Sequence, residues 1–319
     1  MCTNLPEYPE SEQSLLADIR QLMDEWKAAM GNWWHREWAL RSKDTLGDIP
    51  FTSDGFYPYY TQQPIKVLFV GREGIGLADC DYIEVLLQAY KEGRIGTKSL
   101  NRHCFHRRML YMLYGIQHGF PAWEDVPPAD VIARDFATAD GLSCAFLNLS
   151  KISNERETYQ TDWEVLKASL EPSEPFLKRE MELLNPDVII SANVSLSEAG
   201  AFRSEPVLLR KHPEDLLDIH RCELNGRTIY WFNTFHFSAV TRGRGKTGLS
   251  DYHSFYLPVK EAVESLGDRA TPLCQSRNFT FNGTSELTFS GMYNLQSTME
   301  KAARFRLRAA PHAGTGRAM

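Results

Sequence analysis

The stretch Lys66-Val-Leu-Phe-Val-Gly-Arg-Glu-Gly-Ile-Gly76 decides how the fold is read. Val67 to Val70 form a short, continuously apolar run, and Gly71, Gly74 and Gly76 follow at once. The pattern predicts a buried strand that ends in a loop where the backbone turns tightly or comes close to a ligand. In open α/β sheets, ligands bind outside the carboxyl ends of the strands. Glu73 is the one carboxylate in this glycine loop. Other candidate residues are weighed by whether they could meet Glu73 in space.

Working outward, three further runs read as buried strands. They are Cys144-Ala-Phe-Leu-Asn148, Asp187-Val-Ile-Ile-Ser191 and Thr228-Ile-Tyr-Trp-Phe-Asn233, the last running on into Phe235-His236. Helical spacing of apolar residues marks 13–42, 79–91, 100–117, 161–184 and 251–266, with a break expected at Glu171-Pro-Ser-Glu-Pro175. Strands alternating with helices predict βαβ units. The expected architecture is a three-layer α/β fold whose four-stranded parallel sheet is flanked by helices. Residues 1–63 are expected to be a helical N-terminal extension, 64–267 the α/β domain, and 268–319 an irregular C-terminal tail, polar and basic near its end. Trp33, Trp34 and Trp38 are expected to pack on the core, because large aromatics dominate burial. Tyr57, Tyr59 and Tyr60 either line a pocket or pack.

Composition excludes several classes. The 319 residues carry a net charge of −6, so the global basic signature of a nucleic-acid binder is absent. Three local basic clusters remain: Arg102, His103, His106, Arg107 and Arg108; Arg242, Arg244 and Lys246; and Lys301, Arg304, Arg306 and Arg308. Local patches can hold DNA on an acidic protein. No apolar run approaches the roughly 20 residues that cross a bilayer. Six scattered cysteines and a polar, acidic start without a signal-peptide pattern predict free thiols and a cytoplasmic location.

Several motifs fail on spacing. Gly71-Arg-Glu-Gly-Ile-Gly76 would need glycine at Glu73 to match the dinucleotide fingerprint, and Gly245-Lys246-Thr247 would need glycine at Val240 to close a phosphate loop. His103-Cys-Phe-His106 has no second ligand pair at finger-like spacing, so no metal is expected.

What survives is Glu73, Asn148 and His236, each at a strand end. A carboxylate, an amide and an imidazole suit hydrolysis of an N-glycosidic bond. The carboxylate orients water and supports positive charge growing on the sugar. The amide reads a base edge with a donor and an acceptor together. The imidazole donates to the oxygen on which the departing base carries negative charge.

Over about residues 64–267 the chain resembles the uracil-DNA glycosylase superfamily. The family's first motif is a strand and a loop such as G-Q-D-P-Y-H; here it is Gly71-Arg-Glu-Gly-Ile-Gly76. A strand ending in asparagine corresponds to Ala145-Phe-Leu-Asn148. The helix–strand stretch Phe176 to Ile190 is the most family-like. The last motif, such as H-P-S-P-L-S-x-x-R-G, corresponds to His236-Phe-Ser-Ala-Val-Thr-Arg-Gly-Arg-Gly245. The resemblance implies that Glu73 and His236 are catalytic and that Gly71, Ile75 and Asn148 bind the base. It also implies that Val240, Arg242, Arg244 and Lys246 contact DNA, with Val240 filling the gap left by the flipped base and Arg244-Gly245 on the family's arginine–glycine pair.

The departures are informative. Glu73 stands where the family has aspartate, Gly74 where it has proline, Ile75 where uracil-specific members carry a blocking tyrosine, and Gly76 where a histidine follows. Lost bulk there implies a base larger than uracil, such as a hypermodified pyrimidine. Members of this superfamily include antiviral defence glycosylases against modified phage DNA. The expectation is therefore a DNA glycosylase that flips its target and leaves an abasic site, with no cofactor and no strand cleavage, since no lysine nucleophile is apparent. Three alternatives stay open: a catalytically inactive nucleic-acid binder of the same fold, a repair enzyme for uracil, and an enzyme of free nucleosides or nucleotides.

Overall fold

The structure is a computed structural model that describes residues 5–38, 48–156, 160–242 and 248–266, with the main chain alone at 37 and 38. The expected tail, 268–319, lies outside the described residues, and so does its basic cluster. Nine strands are described: β1 (Gly55–Phe56), β2 (Val67–Gly71), β3 (Arg94–Ile95), β4 (Lys98–Ser99), β5 (Ala145–Asn148), β6 (Val188–Ala192), β7 (Val207–Lys211), β8 (Leu217–Leu224) and β9 (Arg227–Thr234). The α-helices are α1 (Gln13–Trp33), α2 (Tyr82–Lys91), α3 (Cys104–Gln117), α4 (Ala129–Arg134), α5 (Trp163–Leu184) and α6 (Leu257–Leu266).

The main sheet has seven strands in the order β1-β5-β2-β6-β9-β8-β7. Its centre, β5-β2-β6-β9, is parallel and consists of the four strands read from the sequence. The expectation of a four-stranded parallel sheet needs correction: β1 adds antiparallel to β5, and β8 and β7 add antiparallel beyond β9. The sheet is therefore mixed. The signal for β8 was legible. Leu217-Asp-Ile-His-Arg-Cys-Glu-Leu224 nearly alternates apolar and polar, and Asn225-Gly226 follows. Both turn residues have positive φ, 50° and 72°, and Leu224 pairs with Arg227. This is a two-residue hairpin of the kind that Asn-Gly favours.

The central strands are buried on both faces, which is why they read as continuous apolar runs. Val67 and Phe69 face a core shared with α2, α3, α4 and α6, whereas Leu68 and Val70 face one shared with α1 and α5. Helices thus cover both faces. Tyr57 and Tyr60 pack in these cores, and Trp33 and Trp34 pack half-buried against the second. Cys80, Cys104, Cys144 and Cys222 carry free thiols. Among the described residues, no helix is long and apolar enough to cross a membrane.

The break expected in 161–184 does not occur. α5 runs unbroken through Pro172 and Pro175. Leu166, Ser169, Ser173, Leu177, Glu180, Met181 and Leu184 form a continuous buried stripe, while Pro175 is exposed. Losing two intrahelical bonds costs less than unseating that stripe, so packing overrides local propensity. α1 lies on α5: Trp26 is fully buried, stacks on Phe176 with ring centroids 5.5 Å apart, and donates its indole N–H to Ser173 at 3.3 Å. Trp26→Ala should therefore cost about 3–5 kcal/mol, as truncations of large buried aromatics do. A urea titration checks this, with a clear drop in midpoint expected.

Candidate active site

The loops after β2 and β5 leave the sheet side by side. Gly71 pairs with Asn148, the last register position. Beyond it, Leu149 N–H donates to Gly71 O (3.2 Å), Ser150 N–H to Arg72 O (2.8 Å), Asn154 N–H to Gly74 O (2.8 Å) and Gly76 N–H to Asn154 O (3.1 Å). The two loops are zipped through their backbones. Gly71 is required by close approach, since a Cβ there would lie 3.0 Å from Asn148 Oδ1 and 3.0 Å from the Phe146 ring. Gly76 is required by its φ of 65°.

Asn148 is 2% exposed. Its side-chain Nδ2 is buried and has no hydrogen-bond partner among the described residues. A buried donor left unmade costs free energy, so such an amide calls for an explanation. It lies on the same side of β5 as Phe146, whose ring is stacked with Tyr82 (4.5 Å) and lies 6.2 Å from Phe105. Phe105 in turn lies 5.6 Å from the His236 ring and 5.0 Å from Phe237. Asn148 and His236 are thus joined by an aromatic floor. Phe105 was not singled out from the sequence, because on a helix among basic residues nothing marks which way it points.

His236 sits two residues beyond β9. Ser238 N–H donates to His236 Nδ1 at 3.3 Å, so Nδ1 carries the lone pair and the neutral ring keeps its proton on Nε2. Burial, reinforced by the nearby Arg72 charge, pushes the His236 pKa down to about 4. The ring is therefore neutral near pH 7 and presents Nε2–H as a donor. Arg108 braces the loop from below. It is 2% exposed, donates to Phe237 O (2.7 Å), Ala239 O (2.5 Å) and Leu249 O (3.4 Å), and pairs with Asp251 at 2.8 Å.

Glu73 lies two residues beyond β2, in the glycine loop. Asn154 Nδ2 approaches its Oε1 at 3.5 Å, and its Oε2 is buried without an aligned partner among the described residues. Burial raises its pKa, against the opposing pull of Thr161, Asn154 and Arg72. It lines a cavity of about 570 Å³ with Trp34, Ser150, Asn154, Asp162 and Leu166, and neither Asn148 nor His236 belongs to that lining. Arg72 connects the two halves, since its charge acts on Glu73 and on His236 alike. Its guanidinium reaches Thr161 Oγ1 (3.3 Å) and Asn193 O (3.4 Å) and lies 4.6 Å from the ring centre of Trp163. Arg72 and Trp163 were also passed over in the sequence, although Arg72 stands beside Glu73 in the loop.

Three large apolar side chains stand exposed beyond the ends of parallel strands: Ile75 at 39% and Val240 at 62% on loops, and Trp163 at 51% at the start of α5. Of the basic residues expected to meet DNA, Arg242 donates to Glu214 at 2.9 Å, while Arg244 and Lys246 lie outside the described residues. The cluster at 102–108 is not a free basic patch. Arg108 and His106 are buried, and Arg107 pairs with Asp251 at 2.6 Å. His106 Nδ1 meets the Tyr90 hydroxyl at 2.8 Å. Among the described residues, no group of three or more His, Cys, Asp or Glu side chains is placed to hold a metal ion.

No known family model matches this chain, and no curated protein matches its sequence.

The His236 environment has a pH consequence. An unfolded chain takes up a proton at this position near 6.5, the folded protein only at about 4. Between those values the unfolded state binds more protons, so stability falls as pH drops from 6.5 towards 4. His103, His106 and His220 are depressed in the same direction by burial and share the slope. Urea midpoints measured across this range should fall on acidification, and less steeply in His236→Gln.

Proposed function

We propose that this protein is a DNA glycosylase that hydrolyses the N-glycosidic bond of a flipped-out pyrimidine larger than uracil. One observation carries the reading: among the described residues, a buried Asn148 amide has an unpartnered Nδ2 and a neutral His236 has no partner at Nε2–H, and the two are linked through the Phe146 and Phe105 rings at the ends of parallel strands. That set matches a planar, hydrogen-bonding ring. The base stacks on the partly exposed Phe105, Asn148 reads its edge, and His236 donates to the oxygen that gains negative charge as the bond breaks.

The reaction balances with water alone. Water oxygen bonds to the sugar C1′, the C1′–N bond breaks with its electron pair going to the base, and Glu73 takes the water proton. The base leaves as an anion stabilised by the imidazole N–H and is protonated afterwards. Attacking water and leaving base must approach C1′ from opposite faces. Glu73 lines a cavity that does not include Asn148, which supports that division. Burial makes Glu73 a stronger base than an exposed carboxylate. Exposed Val240, Ile75 and Trp163 suit a duplex opened at the target, where apolar side chains fill the gap or stack on neighbouring bases. Gly76, with open space where a side chain would lie, and the exposed Ile75 support a pocket with room at the C5 edge, which motivates the larger base. Defence against phage carrying such bases is the biological role that fits.

A second reading is a DNA binder that has lost the chemistry. It draws on Glu73 lining a cavity that excludes Asn148 and His236. Base release separates the two. DNA containing uracil, 5-hydroxymethylcytosine or glucosylated 5-hydroxymethylcytosine, and unmodified DNA, is incubated with the protein, and abasic sites and freed bases are measured. The expected result is release of one modified pyrimidine. Glu73→Gln should lower kcat by about 100-fold or more, the range for loss of a general base, with DNA affinity unchanged. The acid limb of kcat/KM should lie above 4.5, because Glu73 must be ionised and burial raises its pKa. Release of plain uracil alone would remove the large-base proposal, and no release with binding retained would favour the binder.

A further inference from the structure

We infer that the buried cluster Asp54–Lys151–Glu180 is the positioning device of the recognition amide: it grips the Asn148 peptide on both sides and so fixes the direction in which the Asn148 carboxamide is presented. The inference rests on Asn148 as the base-reading residue.

All three side chains are 0% exposed. Lys151 contacts Asp54 Oδ1, lies 2.8 Å from Glu180 Oε2, and sits over the Trp26 ring at 4.7 Å. Its remaining hydrogen bond goes to Asn148 O at 3.1 Å. Asp54 Oδ2 accepts the Asn148 N–H at 2.6 Å. Both polar groups of one peptide residue are thus held by an opposed pair of charges that also hold each other. The reason lies in the sheet. β1 has only two residues, paired with Ala145 and Phe146, so beyond Phe146 that side of β5 has no strand partner. The Asp54 carboxylate takes the place of the missing strand at Asn148.

Stability alone is a weak reason for such a cluster. Each buried ion loses several kcal/mol of hydration, and apolar residues of similar volume often do as well or better. Glu180 is the least satisfied member, since neither of its oxygens has an aligned hydrogen bond. What the charges supply and apolar residues cannot is direction. The Asn148 Oδ1 packs against Gly71, so a small rotation of the peptide would swing the carboxamide into or away from that contact. A displacement of about 1 Å at a reacting or recognition group can cost about 100-fold in rate.

The test replaces the cluster with apolar side chains: Asp54→Leu, Lys151→Met and Glu180→Leu together. The triple variant leaves the Asn148 N–H and C=O without these partners, so its Tm is expected to fall; in the folded variant kcat/KM for base release should drop about 100-fold, with poor discrimination between bases. In an Asn148→Ala background the same three changes should alter kcat/KM by no more than about twofold, because the clamp then has nothing to aim. A folded triple variant with parental release and discrimination would overturn the inference.

If the triple variant does not fold, Asp54→Asn serves instead, read by NMR. The Asn148 side-chain NH₂ signals, assigned by their loss in Asn148→Ala, should shift relative to the parent, and unmoved signals would overturn the clamp. This readout does not depend on activity. Absence of base release from the parent counts against the glycosylase reading and leaves the clamp testable, whereas normal release from the triple variant counts against the clamp and leaves the reading intact.

Discussion

A lysine with no exposed surface ties this molecule together. Lys151 follows β5, Asp54 precedes β1, Glu180 lies on α5 and Trp26 on α1, and all of them meet at one ammonium group. A buried cation needs compensating charge and hydrogen bonds, or the desolvation penalty exceeds what the interior returns. Satisfying this one group therefore fixes the spacing between the sheet and the two helices on that face. Burial holds the Glu180 carboxyl well above the usual range, against the pull of Lys151. The cluster is neither a surface ion pair nor a simple apolar core, and its free energy depends on every member being in place.

The loops of the candidate site inherit that order. Asn148 is gripped through its peptide, and the glycine loop is zipped to the segment that follows Asn148. On the far side of the sheet, Arg108 does for the His236 loop what Lys151 does for Asn148: a buried cation collects backbone carbonyls that no strand satisfies. Both devices answer the requirement that buried backbone groups be paired where regular structure stops. The consequence is a rigid rim around an aromatic floor, with polar groups aimed by backbone rather than by long side chains. Arg72 lies between the halves and keeps both in one electrostatic environment.

The neutral state of His236 follows from the same packing. Burial and the nearby guanidinium disfavour the imidazolium, and the Ser238 N–H selects the tautomer. An imidazole prepared this way donates without carrying charge. Glu73 is shifted in the opposite direction by the same cause, desolvation, which keeps its carboxyl above the usual range while the imidazole stays neutral.

By itself the sequence determined the sheet's parallel centre, because four apolar runs too short for helices, rich in β-branched and aromatic residues and alternating with helical segments, read as strands buried on both faces. It also placed Glu73, Asn148 and His236 at strand ends. The β8–β9 hairpin was equally legible in Asn225-Gly226, a local signal that needs no partner. Tertiary structure alone decided the rest. α5 passes through two prolines because a buried stripe holds it, a fact that no window of local propensity contains. Arg108 and Arg242 look alike in sequence, yet one is buried under a loop and the other pairs with Glu214. Lys151 carries no motif, and its partner Asp54 is 97 residues away. Period and composition are properties of neighbours along the chain, whereas the direction of a charge depends on which distant groups share its low-dielectric surroundings, and only the folded chain brings those groups together.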